Sequence, residues 1–360
     1  MKLDILRLGV TKDLLRSMAK EERTLFLALG HASNQVNALW KLVIVARTYL
    51  KHFAGATDKL YGVKKTDGKS FPCAPKDICA ELDGDVIPDL LIDKKYLGNF
   101  RATFEKEWDR AVAALEAKTP TDADKLHIAG YWANLMICTP TFRRVGTDLV
   151  NHTIELKLRA RNSLGAENGK PEHLLAEGIE AMDRGLLKIS VDADEIRAFA
   201  AAHAMKYAWQ LYNADWQVFE NKTGTDFVTS DNPASYGDSK WGQRDHFQIL
   251  PITPKLCLMC DLSKKPELRE GERDFTKPSQ GKIEIVEVPL ETVERINITI
   301  AKSAESLILS SGENQYIKDL AAKYSKFRVE NEFTMIRQGN GFSIAHRARV
   351  IERTDRSTQT

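Results

Sequence analysis

The spacing of apolar residues changes near Trp216, and that change limits the folds open to the chain. Before it, apolar residues recur in steps of three and four, the repeat of a helix with one buried face. After it, they come in short runs separated by turn-formers, the pattern of strands. Leu25, Leu29, Val36, Leu39, Trp40, Val43 and Leu50 predict a helix from about Lys20. Leu97, Phe100, Phe104, Trp108, Ala111 and Leu115 predict one amphipathic helix over Tyr96–Leu115. Further helices are expected over Asp122–Ile137, from Pro140 onward with Thr139 as cap, and over Ala193–Tyr212. Asn162–Pro171, with two glycines and a proline, reads as a flexible insert. A strand over Leu3–Val10, a helix capped by Thr11, a hairpin over Leu60–Phe71 turning at Asp67-Gly68, a short helix over Ala74–Leu82 and a loop over Asp83–Asp93 complete this half.

Beyond Trp216, Trp216–Glu220 and Asp226–Thr229 are expected to pair as a hairpin, as are His246–Pro251 and Leu256–Asp261; Lys282–Val288 adds a strand. Short connections imply antiparallel pairing. Helices over Thr292–Ser303 and Asn314–Tyr324 pack on the sheet. Phe333–Arg337 and Phe342–Ala348 form a terminal hairpin around Gly339-Asn340-Gly341, and Thr354–Thr360 is a disordered tail. The expected class is α+β, a helical N-terminal half packed against a largely antiparallel sheet in the C-terminal half. The expected divisions are a helical segment (1–47), an α+β core (48–335) and a C-terminal hairpin and tail (336–360).

Composition excludes some functions. A formal charge of +2 gives no whole-molecule attraction to nucleic acid, so phosphate binding would need a local patch. The longest apolar-rich run, Thr24–Leu50, carries His31, Asn34, Gln35, Asn37, Lys41 and Arg47 and is too polar for a membrane span. Asp4 and Arg7 interrupt any signal peptide. Five cysteines, an odd number in a large chain, point to free thiols and a cytoplasmic location.

The stretch Asp226-Phe-Val-Thr-Ser-Asp-Asn-Pro233 leaves a strand and turns sharply. Ser230, Asp231 and Asn232 compete for backbone hydrogen bonds, and Pro233 ends the segment. A hydroxyl, a carboxylate and an amide are thereby held at a strand end. Asp231 and Asn232 could orient water or bind a divalent cation, with Glu107, Glu220 or Asp226 supplying a further carboxylate; they could equally form a structural Asx turn. Glu107, beside Trp108, could point into a cleft or be an exposed helix charge. Arg143 and Arg144 sit early in a helix, where the dipole disfavours cations and a nearby phosphate or carboxylate would relieve them. Solvated surface arginines are the alternative. Arg47 and His52 have the spacing of helical ribonucleases of the HEPN type, an arginine for a phosphorane and a histidine for a proton. Arg197 and His203 repeat that spacing, and a helix end with a cationic last turn explains Arg47 and His52 equally well. His203 reads as a packed histidine. Cys257 and Cys260 would face opposite sides of a strand, so no structural zinc is expected. No phosphate-binding glycine loop and no serine-nucleophile elbow occurs, and the sequence leaves the cofactor unknown.

Tyr49-Leu-Lys-His-Phe-Ala54, Lys59-Leu-Tyr-Gly-Val-Lys-Lys65, Pro75-Lys-Asp-Ile-Cys-Ala-Glu81, Thr139-Pro140 with Arg143, Phe227-Val-Thr-Ser-Asp-Asn-Pro233 and Leu250-Pro-Ile-Thr-Pro254 follow one another in an order that resembles bacterial domain-of-unknown-function family 4238. The resemblance runs from about Thr48 to Phe333. The family's His-x-Val-Pro segment is Val43-Ile-Val-Ala46 here, and its Arg-Thr-Pro is Cys138-Thr-Pro140. Leu25–Leu42, with its Gly-His-Ala-x-Asn pattern, resembles the opening helices of other small helical bacterial proteins and could join copies of the chain. The resemblance implies a role in phage defence and names no reaction. Two readings follow. One is an effector hydrolysing nucleic acid or nucleotide through Asp231, Asn232 and Glu107, with Ser230, Arg143 and Arg144 holding substrate. The other is a non-catalytic sensor or interaction module in which Thr-Ser-Asp-Asn-Pro is a structural corner.

Overall fold

Local chemistry sets the helix starts. Thr121 accepts the amide of Asp124 while Asp124 accepts the amide of Thr121, a reciprocal cap that satisfies two otherwise orphaned donors. Thr139 Oγ1 accepts the amide of Phe142 at 3.1 Å, and Pro140 opens the next helix, as the sequence predicts. Asn314 caps its helix through the amide of Ile317. The structure, a computed structural model, describes residues 41–43, 47–54, 58–78, 80–82, 95–167, 173–191, 193–236, 247–262, 274–338 and 341–353. The expectations for Leu3–Val10, Thr11 and most of the Lys20 helix, the polar row His31, Asn34 and Asn37, Asp83–Asp93 and the tail lie outside these residues.

In chain order the elements are β1 (Lys41–Val43), α1 (Arg47–Leu50), β2 (Leu60–Lys64), β3 (Ser70–Cys73), a 3-10 turn (Pro75–Asp77), β4 (Ala80–Leu82), α2 (Tyr96–Glu105), α3 (Trp108–Glu116), α4 (Asp122–Ile137), α5 (Pro140–Glu167), α6 (His173–Asp183), α7 (Ala193–Asn213), β5 (Asp215–Asn221), β6 (Thr229–Ser230), β7 (Ser235–Tyr236), β8 (Phe247–Pro251), β9 (Leu256–Asp261), β10 (Ile283–Val288), α8 (Leu290–Ser303), β11 (Leu307–Ser310), α9 (Gln315–Lys323), β12 (Phe327–Gln338) and β13 (Gly341–Glu352). The class is α+β, with the helices of the N-terminal half against sheet from the C-terminal half. No helix among the described residues is long and apolar enough to cross a membrane.

A five-stranded sheet runs β10-β5-β9-β8-β7, and a four-stranded sheet runs β3-β2-β11-β6. Both faces of the larger sheet are buried. Trp216, Val218, Leu250, Leu258 and Cys260 face a core shared with α2, α3, α4 and α7. Phe219, Ile249, Cys257 and Met259 face a second core shared with α8, α9 and the smaller sheet. Burial on two faces explains why Leu256-Cys-Leu-Met-Cys260 reads as a continuous apolar run. It also places Cys257 and Cys260 in different cores, as strand alternation requires. Tight approaches need glycine twice. A Cβ on Gly281 would stand 1.9 Å from the carbonyl oxygen of Ala214, and one on Gly130 would stand 2.3 Å from the Phe104 ring.

Several expected elements are corrected. Residues 41–43, expected within a helix, form a strand paired with β4, and Ala74–Leu82, expected as a helix, is a 3-10 turn followed by that strand. The predicted Tyr96–Leu115 helix is two helices separated at Lys106–Glu107, though its apolar stripe is buried throughout. α5 runs on to Glu167, past the insert expected from Asn162, and α6 was not foreseen. The expected hairpin of Trp216–Glu220 with Asp226–Thr229 does not form, because β5 pairs with β9 and β10 while β6 pairs with β11 in the other sheet. The β5–β10 pair is parallel, so the larger sheet is mixed. The hairpin over β2 and β3, the hairpin over β8 and β9, and the terminal hairpin form as expected, the last extended to Phe327 and Glu352.

Candidate functional site

The corner at Thr229–Pro233 is buried. Thr229 and Ser230 are fully inaccessible, and Asp231 and Asn232 nearly so. Backbone pairing of β6 with β11 (Ile308 opposite Ser230) brings the corner against the connection that leaves α8. There Asp231 Oδ1 accepts the amide of Glu305 at 2.9 Å, and Oδ2 accepts those of Ser306 and Leu307 at 2.8 and 3.1 Å. Asn232 donates from Nδ2 to the carbonyl of Ser303 at 2.9 Å, and its amide donates to Ser230 Oγ at 3.1 Å. Asn297 of α8 completes the grip, accepting the amide of Val228 and donating to the carbonyl of Asp226. Thr229 Oγ1 shares a 2.7 Å hydrogen bond with Tyr49, whose hydroxyl also donates to the carbonyl of Pro251.

Lys65 holds the same helix end from the other side. Its buried ammonium donates to the carbonyls of Ala301, Ala304 and Phe327 at 2.7 to 2.8 Å, a cation at the negative end of a helix. Burial pushes the Lys65 amine down to about 8, opposed by the charges of Asp231 and Glu305. Burial pushes the Asp231 carboxyl up to about 6, against the pull of the Ser306 and Glu305 amides and of Lys65. Asp231 and Lys65 thus form one joint: the carboxylate takes the amides after α8, and the lysine takes its last carbonyls.

The arginine helix reaches this joint through Glu305. Arg144 donates to the Glu305 carboxylate from Nε and Nη2, both at 2.9 Å, and from Nη2 to the carbonyl of Val329. Burial opposes ionisation of Glu305, but Arg144 and Thr141 hold it below the usual carboxylate range. The anion that Arg144 calls for is therefore a carboxylate of this chain. Ser230, Asp231, Asn232 and Arg144 gather at one place, and Arg143, half-buried on the same helix, has interactions of its own.

Glu107 is not among the groups that act on Asp231. It precedes α3, where Arg110 Nε donates to it at 2.9 Å and holds its carboxyl below the usual range. The other candidate carboxylates are also engaged elsewhere, Glu220 by Lys118 and Lys222, Asp226 by Lys255 and Ser311. Among the described residues, no group of three His, Cys, Asp or Glu side chains is placed to hold a metal ion. His52 Nε2 lies 2.9 Å from Asp109, which Lys51 also engages. Arg47 is exposed at the start of α1. His203 stacks on Phe199 and bonds its carbonyl, the packed histidine expected.

A second feature escaped the sequence. A cleft of about 540 Å³ lies between α5, the segment after α6 and β12. Asp148, Asn151, His152 and Glu155 line one wall, and Glu330, Asn331 and Phe333 another. The lining residues of α5 recur at three and four residues, a spacing visible in the sequence, but the opposite wall comes from β12, far along the chain.

The fold is thus α+β, with the Thr229–Pro233 corner leading from the four-stranded sheet into the five-stranded one. Residues 44–314 match the family described as "Protein of unknown function (DUF4238)", and the chain belongs to that family. No curated protein and no solved structure matches the chain. Asp231, Lys65, Arg144 and Glu305 lie within the matched residues, whereas β12 lies beyond them.

Proposed function

We propose that the chain is a non-catalytic sensor or interaction module whose Thr-Ser-Asp-Asn-Pro corner is a structural joint. The observation that carries this reading is the occupation of Asp231: both carboxylate oxygens are taken by backbone amides in a buried setting. A general base or cation ligand must offer an oxygen to something outside the fold, and this one is committed to holding α8 to β11. The four described cysteines are free, which supports a cytoplasmic location. The test compares wild type with Asp231→Ala and Asp231→Asn during induced expression. The module reading expects unchanged RNA, DNA and nucleotide pools with wild type, and a lower yield of folded protein with Asp231→Ala. Depletion of a pool by wild type, abolished by a folded Asp231→Asn, would defeat it.

A second reading keeps the defence effector acting on nucleic acid or nucleotide and moves its chemistry to Arg47 and His52, at the start of α1 and just past its end. It is favoured by the pairing of His52 with Asp109, beside Lys51 and after an exposed Arg47. A carboxylate that orients an imidazole is a general-base arrangement. This reading expects wild type to deplete a pool and a folded His52→Ala to leave it intact.

A further inference from the structure

The cleft between α5 and β12 is chemically unlike the joint. His152 packs against Phe333 with ring centroids 4.0 Å apart and planes tilted by 34°, giving it an aromatic wall. Met182, Leu187 and Ile189 add apolar surface, and Leu186 stands 71% exposed beside them. Three carboxylates line it, Asp148, Glu155 and Glu330, against a single lysine, Lys188. Arg159 takes Oε1 of Glu155, and Arg328 takes Oε1 of Glu330. Asp148 is the least neutralised: Arg144 Nη1 stands 3.9 Å from it, beyond hydrogen-bond reach, and its side chain is 53% exposed. Asn331, also lining the cleft, fixes its Nδ2 on the carbonyl of Val145 at 2.6 Å and leaves Oδ1 a buried acceptor without a partner. A buried acceptor left open asks for a donor.

From these observations we propose that the cleft binds a small organic cation, an ammonium or guanidinium group on an apolar stem. The stem lies against His152, Phe333 and Leu187, the charged head faces Asp148, and an N–H of the head meets Asn331 Oδ1. The volume falls within the range of small-molecule sites. Phosphate-bearing ligands are disfavoured by Asp148, the lining carboxylate without a hydrogen-bonded arginine. The proposal deepens the binding-module reading and rests on it.

The test is calorimetric titration of the full chain with agmatine and with spermidine, using AMP as the anionic comparator. Saturable binding of at least one cation is expected, with no binding of AMP at the same concentration. Asp148→Asn and Phe333→Ala should each weaken that binding about tenfold. If Phe333→Ala fails to fold, Asp148→Asn decides, since its exposed side chain carries little of the fold. No saturable binding of either cation up to about 10 mM, an affinity unchanged in Asp148→Asn, or a preference for AMP overturns the proposal. Each of these leaves the Asp231 comparison untouched, so failure of the cleft and failure of the module reading give different results.

Discussion

Asp231 and Lys65 carry opposite charges into the same buried joint, and each is matched to backbone rather than to the other's hydrogen-bonding atoms. Removing Asp231 leaves three part-buried amides without their acceptor, and each such loss costs about 1–3 kcal/mol, least where water can replace it. Asp231→Asn keeps one acceptor oxygen and should cost about half as much. The charge also leaves a titration signature. Because the folded carboxyl is raised to about 6, the folded chain holds a proton that the unfolded chain has already released between its ordinary range and pH 6. Asp231 therefore contributes stability below that window and loses it as pH climbs through about 6. Denaturation midpoints between pH 4 and 7 should show this contribution in wild type and lack it in Asp231→Asn. At this scale the sequence was informative about residue type: Thr-Ser-Asp-Asn-Pro announces a corner. It could not show whether the carboxylate faces solvent or amides, because the amides come from residues 305–307, more than seventy positions away.

At the scale of elements, pairing set by a local turn was legible and pairing set by distant packing was not. The β8–β9 hairpin turns within Ile252–Lys255, and its strands read correctly from the sequence. β6 is only Thr229–Ser230, and its partner β11 lies across the whole of β10 and α8. Its apolar neighbours Phe227 and Val228 suggested the nearest strand, which belongs to the other sheet. The helical stripe of Tyr96–Leu115 was read correctly as a buried face, yet the backbone break at Lys106–Glu107 leaves no mark on a three-and-four repeat. Close element contacts give two further expectations. Tyr49→Phe removes the hydroxyl that ties α1 to β6 and β8 and should cost about 1–2 kcal/mol in urea denaturation. Gly281→Ala drives a methyl into backbone and should cost about 3 kcal/mol. A Gly281→Ala midpoint equal to wild type would mean that β10 does not sit against the end of α7 as described.

Across the whole molecule, two buried lysines tie separate layers together. Lys65 joins the smaller sheet to α8 and β12, and Lys125 of α4 donates to Ala214, Ser279 and Gly281, joining the helical layer to the larger sheet. Burial lowers both amines to about 8, so both stay charged at neutral pH. An unfolded chain keeps its lysine protons to about pH 10, so between pH 8 and 10 unfolding takes up protons and stability rises with pH. The rise is at most about 1.4 kcal/mol per pH unit for each lysine, and Lys125→Met should remove one share of it. A flat profile over that window would contradict the placement of both ammonium groups. The class and family of the molecule were readable from its motifs, whereas the α5–β12 cleft arises only when residues 148–155 and 330–333 meet in space.

If the corner is a joint, removing its carboxylate must cost stability, and urea denaturation of Asp231→Ala measures that cost. A loss of about 4 kcal/mol, with Asp231→Asn falling between it and wild type, is the result expected from three stranded amides. An Asp231→Ala chain that unfolds at the wild-type midpoint would contradict the account and return Asp231 to the role of a reactive group.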